Sequence, residues 1–368
     1  MLVEFRTKGF KNFKEEVCLD LGDVKNYEFS SGAIKNDTVK TALIYGANGS
    51  GKTNLGYALF DIVIHLTDNY FNMANYTNYL NLDQGTNAFF YYKFVFNNSV
   101  LEYSYIKKDA ETLTDENVKI NGNDVISYNR KAQAALVNLE GAESLNTDLS
   151  DTNISFVKYV SKNTVLGETK KNKVFRMFID FVNGMLLFSS LERNLYQGFK
   201  TGSDIIGENI ISHGKLTEFQ DFLNKNSIKY TLVAKKETDG QKIYCKFNKR
   251  SVNFFSIASK GTTSLTLFFN WMIQFGKVSL VFIDEFDAFY HSDVAKYVVE
   301  TIRDNNDIQG ILTTHNTDIM TNDLLRPDCY FRIAGGRLVS FSDSTQKELR
   351  KAHNLQKMYK AGAFTSND

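Results

Sequence analysis

The densest chemistry in this sequence is Gly46-Ala47-Asn48-Gly49-Ser50-Gly51-Lys52-Thr53, which satisfies Gly-x-x-x-x-Gly-Lys-Thr in full. Glycines at these spacings let the backbone turn tightly and bring its N–H groups close to an anion. A helix opening behind the loop adds the positive end of its dipole. Lys52 would then supply a cation to the oxygens of a bound polyphosphate, and the Thr53 hydroxyl is the expected magnesium ligand. The plain alternative is a glycine-rich turn before a helix. It loses ground because an apolar run, Thr41–Tyr45, leads in, and Leu55, Leu59, Ile62, Val63 and Leu66 follow at helical spacing.

Two further apolar runs end in polar tips. Leu280-Val281-Phe282-Ile283 runs into Asp284-Glu285, and Ile311-Leu312-Thr313-Thr314 runs into His315. Taken alone, the first is an ordinary core strand ending in a solvated acidic pair. Beside a phosphate loop, Asp284 becomes the carboxylate that holds a metal ion through water, and Glu285 the general base that polarises an attacking water. In a parallel sheet the C-terminal tips of adjacent strands lie together and ligands sit there, which places His315 to hydrogen-bond a terminal phosphate.

The elements that must position these residues are legible at the two ends of the chain. Residues 2–20 alternate as two strands around Gly9-Phe10-Lys11-Asn12-Phe13, and residues 88–96 and 101–107 read as a hairpin turning at Asn97-Asn98-Ser99. After residue 250 come a helix over 264–274, the apolar strand 280–283, a helix over 295–302 and a strand over 310–313. A helix near Asp318 and strands around 330–333 and 337–341 follow. Between the two ends, helices are predicted over 128–139, 152–161, 174–182 and 214–223. A strand is predicted at 185–188 and a second hairpin at 230–235 with 242–247.

The implied fold class is α/β: a nucleotide-binding head with a mixed sheet, an N-terminal antiparallel β-subdomain and a mainly helical insertion, without a long coiled coil. The predicted division is 1–109, the first half of the head; 110–250, an insertion of helices with short strands; 251–343, the second half; and 344–368, a tail. A length of 368 residues exceeds the usual size of one core. The formal net charge of +1, from 43 basic and 42 acidic residues, gives no global argument for nucleic acid or membrane binding. Cys18, Cys245 and Cys329 have no metal-ligand spacing and read as free thiols. With no signal-peptide region and no apolar run near the ~18–20 residues of a membrane helix, the expected location is the cytoplasm.

Walker A (46–53), Walker B with Asp284-Glu285, and a strand-end histidine together resemble the ABC-type ATPase superfamily. Ile257-Ala258-Ser259-Lys260-Gly261-Thr262 stands where the signature motif would open the helix before Walker B. Ser259 and Gly261 match that motif, while Lys260 and Thr262 depart from it. Within the superfamily the chain is similar to the RecF, SMC and OLD group, and more narrowly to compact AAA-family ATPases of prokaryotic abortive-infection and anti-phage systems. Gly9–Lys14, Asp284-Glu285-Phe286-Asp287 with His291, Thr314-His315-Asn316-Thr317, Leu325-Arg326-Pro327-Asp328 and the tail 354–362 carry this resemblance. SMC-like coiled coils and an OLD-type appended nuclease domain are not expected. A Q-loop glutamine could be Gln84.

The resemblance implies an ATPase, with ATP and Mg²⁺ as cofactors, that forms a head-to-tail homodimer. Gly46, Ala47, Asn48, Gly49, Ser50, Gly51, Lys52, Thr53 and Asn54 would hold the nucleotide, and Thr53 with Asp284 the metal. Lys52, Glu285 and His315 would be catalytic. Ser259 and Gly261 of the second copy would cap the γ-phosphate, and His315, with Asp287 or His291, would sense the partner. The implied role is to regulate or scaffold a separately encoded effector, a nuclease or toxin, in anti-phage defence. The alternative is a DNA-engaging ATPase of the recombination and repair type, for which Lys170, Lys171, Lys173 and Arg176, and Lys347, Arg350, Lys351 and Lys357, would track phosphates. Solvated helix faces are the competing reading of those clusters. A transporter ATPase is disfavoured by Gly9–Phe13 and the degenerate signature.

Overall fold

A computed structural model describes residues 1–83, 85–149, 152–192 and 195–365. Two seven-stranded sheets organise it. The first is antiparallel throughout, in the order Ala134–Val137, Asn123–Asn129, Leu113–Ile120, Ser99–Lys107, Ala88–Phe96, Leu2–Lys8, Val17–Asp20. Residues along Ala88–Phe96 and Ser99–Lys107 alternate strictly between buried and half-buried, so one face packs on the core.

The second sheet holds the candidate site. Its order is Tyr196–Gly198, Met185–Ser189, Leu280–Asp284, Gln309–Thr314, Thr41–Tyr45, Tyr330–Ala334, Arg337–Ser340. The five inner strands run parallel, and the two outermost are antiparallel to their neighbours. Met185–Ser189, Thr41–Tyr45, Leu280–Asp284 and Gln309–Thr314 are buried at every position, as strands covered on both faces must be. The three polar-tipped strands are therefore neighbours, with the phosphate-loop strand and the acidic strand flanking the histidine strand. Gln309 ties the sheets together: its side chain accepts from Leu2 N–H and donates to the Leu2 and Val39 carbonyls.

The interval 110–250 is threaded through both halves. Its first strands extend the antiparallel sheet, and Met185–Ser189 pairs with the acidic strand in the central one. Residues 128–139 are not a helix. They lie in the strands Asn123–Asn129 and Ala134–Val137, joined by a turn in which Asn129 Oδ1 accepts from Ala132 N–H. The alanines there favour a helix locally, but pairing on the edge of an existing ladder overrides that preference. The other predicted elements are present with shifted ends. Helix Phe156–Asn163 begins where Ser155 caps it, and the helix at 264–274 begins earlier, as Lys260–Met272, because Ser259 is its cap. The helix near Asp318 is a single 3₁₀ turn, Thr317–Ile319.

The carboxy-terminal segment packs back on the head. Phe364 and Tyr359 stack on Phe341, and Tyr359 also reaches Tyr45 at the end of the phosphate-loop strand. Among the described residues no helix is long and apolar enough to cross a membrane.

Candidate nucleotide site

The glycine loop leaves the strand Thr41–Tyr45 and enters the helix Lys52–Leu59. Gly51 has φ +104°, a conformation L side chains rarely adopt, and a Cβ there would lie 2.6 Å from Asn12 Nδ2. A Cβ on Gly46 would meet the Ile333 carbonyl at 2.8 Å. The loop is thus clasped between Asn12-Phe13 of the amino-terminal turn and the strand Tyr330–Ala334. Asn54, one residue past the pattern, donates to Asn12 Oδ1 at 2.7 Å, which explains why Gly9–Phe13 belongs with the site.

At the strand tips the predicted side chains converge. Thr53 Oγ1 donates to Asp284 Oδ2 at 2.8 Å. Lys52 Nζ bonds the Gly46 carbonyl at 3.0 Å and lies 2.7 Å from His315 Nε2 and 3.4 Å from Glu285 Oε1. His315 Nε2 is in turn 3.0 Å from that same Glu285 oxygen. Burial raises the Asp284 carboxyl above its ordinary range, against the downward pull of the Thr313 and Thr53 hydroxyls. A desolvated carboxylate of this kind gains from a nearby cation.

Two residues outside the predicted set hold this arrangement. Thr313 Oγ1 donates to Asp284 Oδ1 and accepts from the Glu285 N–H, both at 2.8 Å. Glu285 sits in the left-handed region at φ +48°, so these contacts fix a backbone that costs energy to hold. Thr314 Oγ1 donates to both oxygens of Asp287 at 2.8 Å. The sequence signal was a pair of threonines immediately before the strand-end histidine, hidden by their β-forming character.

Asp287 has a partner within its own chain. It is buried and bound to Thr314, so it braces the histidine strand. Exposed His291 precedes the helix Ser292–Asp304 without capping it through its side chain. Ser259 caps Lys260–Met272 by accepting from Thr262 N–H at 3.1 Å. A Cβ on Gly261 would lie 2.8 Å from the Phe289 carbonyl, so the signature turn rests on the loop after the acidic pair. No hydrogen bond among the described residues joins Ser259 or Gly261 to the glycine loop. Gln84 lies outside the described residues.

The residues fit Mg²⁺ with a nucleoside triphosphate. The Ser50 hydroxyl inside the loop is buried without a partner, and Thr53 and Asp284 present a hydroxyl and a carboxylate side by side. Among the described residues no group of three or more His, Cys, Asp or Glu could bind a metal by itself. A site with one carboxylate matches a metal held largely by phosphate oxygens.

The parallel sheet and the side chains gathered at its strand tips form a candidate nucleotide-binding site. Residues 208–321 match the family model described as "AAA domain, putative AbiEii toxin, Type IV TA system", a span that includes Ser259, Gly261, Asp284, Glu285 and His315. Over this span the match agrees with the abortive-infection part of the resemblance. Similar solved structures include an SMC head bound to the C-terminal winged-helix domain of ScpA, at 16% identity over 92% of this chain and 97% of that one, with a TM-score of 0.46. An SMC head domain from Thermotoga maritima is 16% identical over 92% of this chain and 98% of that one, with a TM-score of 0.45. The recombination mediator RecF is 13% identical over 92% and 98%, with a TM-score of 0.42. At these values the likenesses carry no functional weight. No curated protein matches the sequence.

Proposed function

We propose that this chain binds and hydrolyses ATP, closes as a dimer around it, and thereby regulates an effector protein in prokaryotic anti-phage defence. Gly46–Asn54 cradle the phosphates. Thr53 and Asp284 hold Mg²⁺, which when bound neutralises charge on the phosphate oxygens. Glu285 takes the proton of the attacking water, Lys52 steadies the terminal phosphate, and His315 hydrogen-bonds it. The observation that carries this reading is the Thr53–Asp284 pairing inside a cluster that also gathers Lys52, Glu285 and His315. Dimerisation is supported by Ser259, which is exposed at a helix N-terminus and faces no phosphate loop of its own chain.

Glu285→Gln tests it. The variant should retain ATP binding, lose turnover by at least about a hundredfold, and accumulate as an ATP-bound dimer in light scattering. Lys52→Ala should abolish binding. A Glu285→Gln protein that stays monomeric at saturating ATP and Mg²⁺ would sink the composite-site reading. The DNA-engaging alternative is weakened by the basic clusters, several of which are occupied at home. Arg176 and Lys173 pair with Glu168, Arg350 with Glu348, and Lys351 with Asp323. ATP turnover stimulated by DNA, with affinity that collapses as salt rises, would restore it.

A further inference from the structure

The antiparallel seven-stranded sheet ends at Ala134–Val137, and among the described residues no strand pairs with its outer side. One bond fixes how its main chain is turned. Asn138 N–H donates to the Val125 carbonyl at 2.7 Å, and Val137 stands opposite Ile126 in the register. Residue 138 therefore points its main-chain groups at Asn123–Asn129. By the two-residue alternation of a strand, so do Leu136 and Ala134. Ala135 and Val137 turn theirs the other way, and no hydrogen bond among the described residues uses them. The strand carries no charge and no proline, although proteins usually blunt an edge with one or the other. Leu232–Glu237, the edge of the three-stranded sheet, has Lys235, Lys236 and Glu237. Leu136 is 43% exposed. The turn leading into the strand is braced by Arg130, whose guanidinium donates to the Leu113, Leu149 and Ile154 carbonyls.

A row of unpaired N–H and C=O groups is a template for another strand. We propose that this edge pairs antiparallel with the same edge of a second copy, about a twofold axis through Leu136. Ala135 of each copy exchanges both main-chain bonds with Val137 of the other, which satisfies the outward groups. The two Leu136 side chains meet as a non-hydrogen-bonded pair, the closer kind, and cover each other's exposed surface. Charge favours the same partner. Lys131 lies just before the strand and Glu140 just after it, both exposed, and no ion pair among the described residues uses either one. Antiparallel self-pairing brings the basic end of one copy to the acidic end of the other. Four strands stand between this edge and Leu2–Lys8, which leads to the turn at the glycine loop. At the usual strand spacing that is about 24 Å, so the contact is available with or without nucleotide. It would join the ATP-closed dimers proposed above into a larger assembly.

The test uses the full chain without nucleotide, so the ATP-closed dimer plays no part. An edge of four residues makes a contact smaller than a standard interface, and the pair should be concentration-dependent. Sedimentation velocity between about 1 and about 100 μM should show a monomer–dimer equilibrium. Leu136→Lys sets like charges face to face across the axis and should weaken association at least about 10-fold, as should Leu136→Asp. An equimolar mixture of the two should restore the dimer, which misfolded variants could not do. Cross-linking under mild oxidation reads the register, with the unsubstituted chain as the blank for Cys18. Leu136→Cys should give a covalent dimer, because its two copies face each other. Ala134→Cys, exposed on the same face, lies about 14 Å from its copy in this register and should not. A chain that stays monomeric over the whole range, dimers indifferent to both charges at 136, or equal cross-linking at 134 and 136 overturns the proposal. None of these readouts needs ATP, so a failed edge and a failed Glu285→Gln dimer are told apart.

Discussion

Thr313→Val tests the geometry most sharply, because one hydroxyl serves both acidic residues. Thr313 Oγ1 is the donor to Asp284 Oδ1 and the acceptor of the Glu285 N–H, at 2.8 Å each, and Thr313 is fully buried. Valine keeps the shape and removes both bonds. Losing a hydrogen bond to a charged carboxylate costs about 1.5–3 kcal/mol, and leaving a buried N–H unpaired about 1–3 kcal/mol. Partial relaxation brings the expected loss to roughly 2–4 kcal/mol, read as a lower urea midpoint at unchanged slope. Turnover should fall too. Asp284, already raised by burial, loses one of the donors that favour its charged form, and Glu285 loses the contact that holds its left-handed backbone. Thr313→Ser keeps the hydroxyl and sheds one buried methyl, so it should cost about 1 kcal/mol and leave kcat within a few-fold. If the valine and serine variants are equally stable and equally active, the hydroxyl does not do what the geometry assigns to it.

The buried network behind the phosphate-loop helix offers two more tests. Lys107 Nζ lies 2.8 Å from Asp61 Oδ2 with both side chains fully buried, and Tyr79 and Tyr105 also donate to Asp61. Lys107→Met strands the carboxylate and should cost about 3–5 kcal/mol. Asp61→Asn with Lys107→Met should recover most of that by urea denaturation, and a double variant as unstable as the single one would refute the pairing. His65 is held well below its ordinary value by burial first and by Lys107 second. It stays neutral when folded but takes a proton below about pH 6.5 when unfolded, so acid favours the unfolded chain by up to about 1.4 kcal/mol per pH unit. His65→Gln should flatten the stability profile between about pH 7 and about pH 5, and an unchanged acid limb would count against this.

Much of the site was legible because its chemistry is local. Gly46–Thr53 is one uninterrupted loop, and each polar tip directly follows its own apolar strand, so type and spacing sufficed. The predicted strand Thr41–Tyr45 coincides with the observed one, since residues buried on both faces form a run that periodicity can detect. The segment 128–139 reads as a helix because its alanines favour one, while the ladder that claims it depends on Leu113–Ile120, a partner no local window contains.

By itself, then, the sequence determined that a phosphate loop, an acidic pair and a histidine each end a buried strand. The tertiary structure decided their order, with the histidine strand between the other two. Thr313 consequently clamps Asp284 and Glu285, and Asp287 turns inward to Thr314. The physical reason is that strand adjacency is a long-range pairing. Sequence periodicity states which side chains are buried and leaves open which strands will be neighbours.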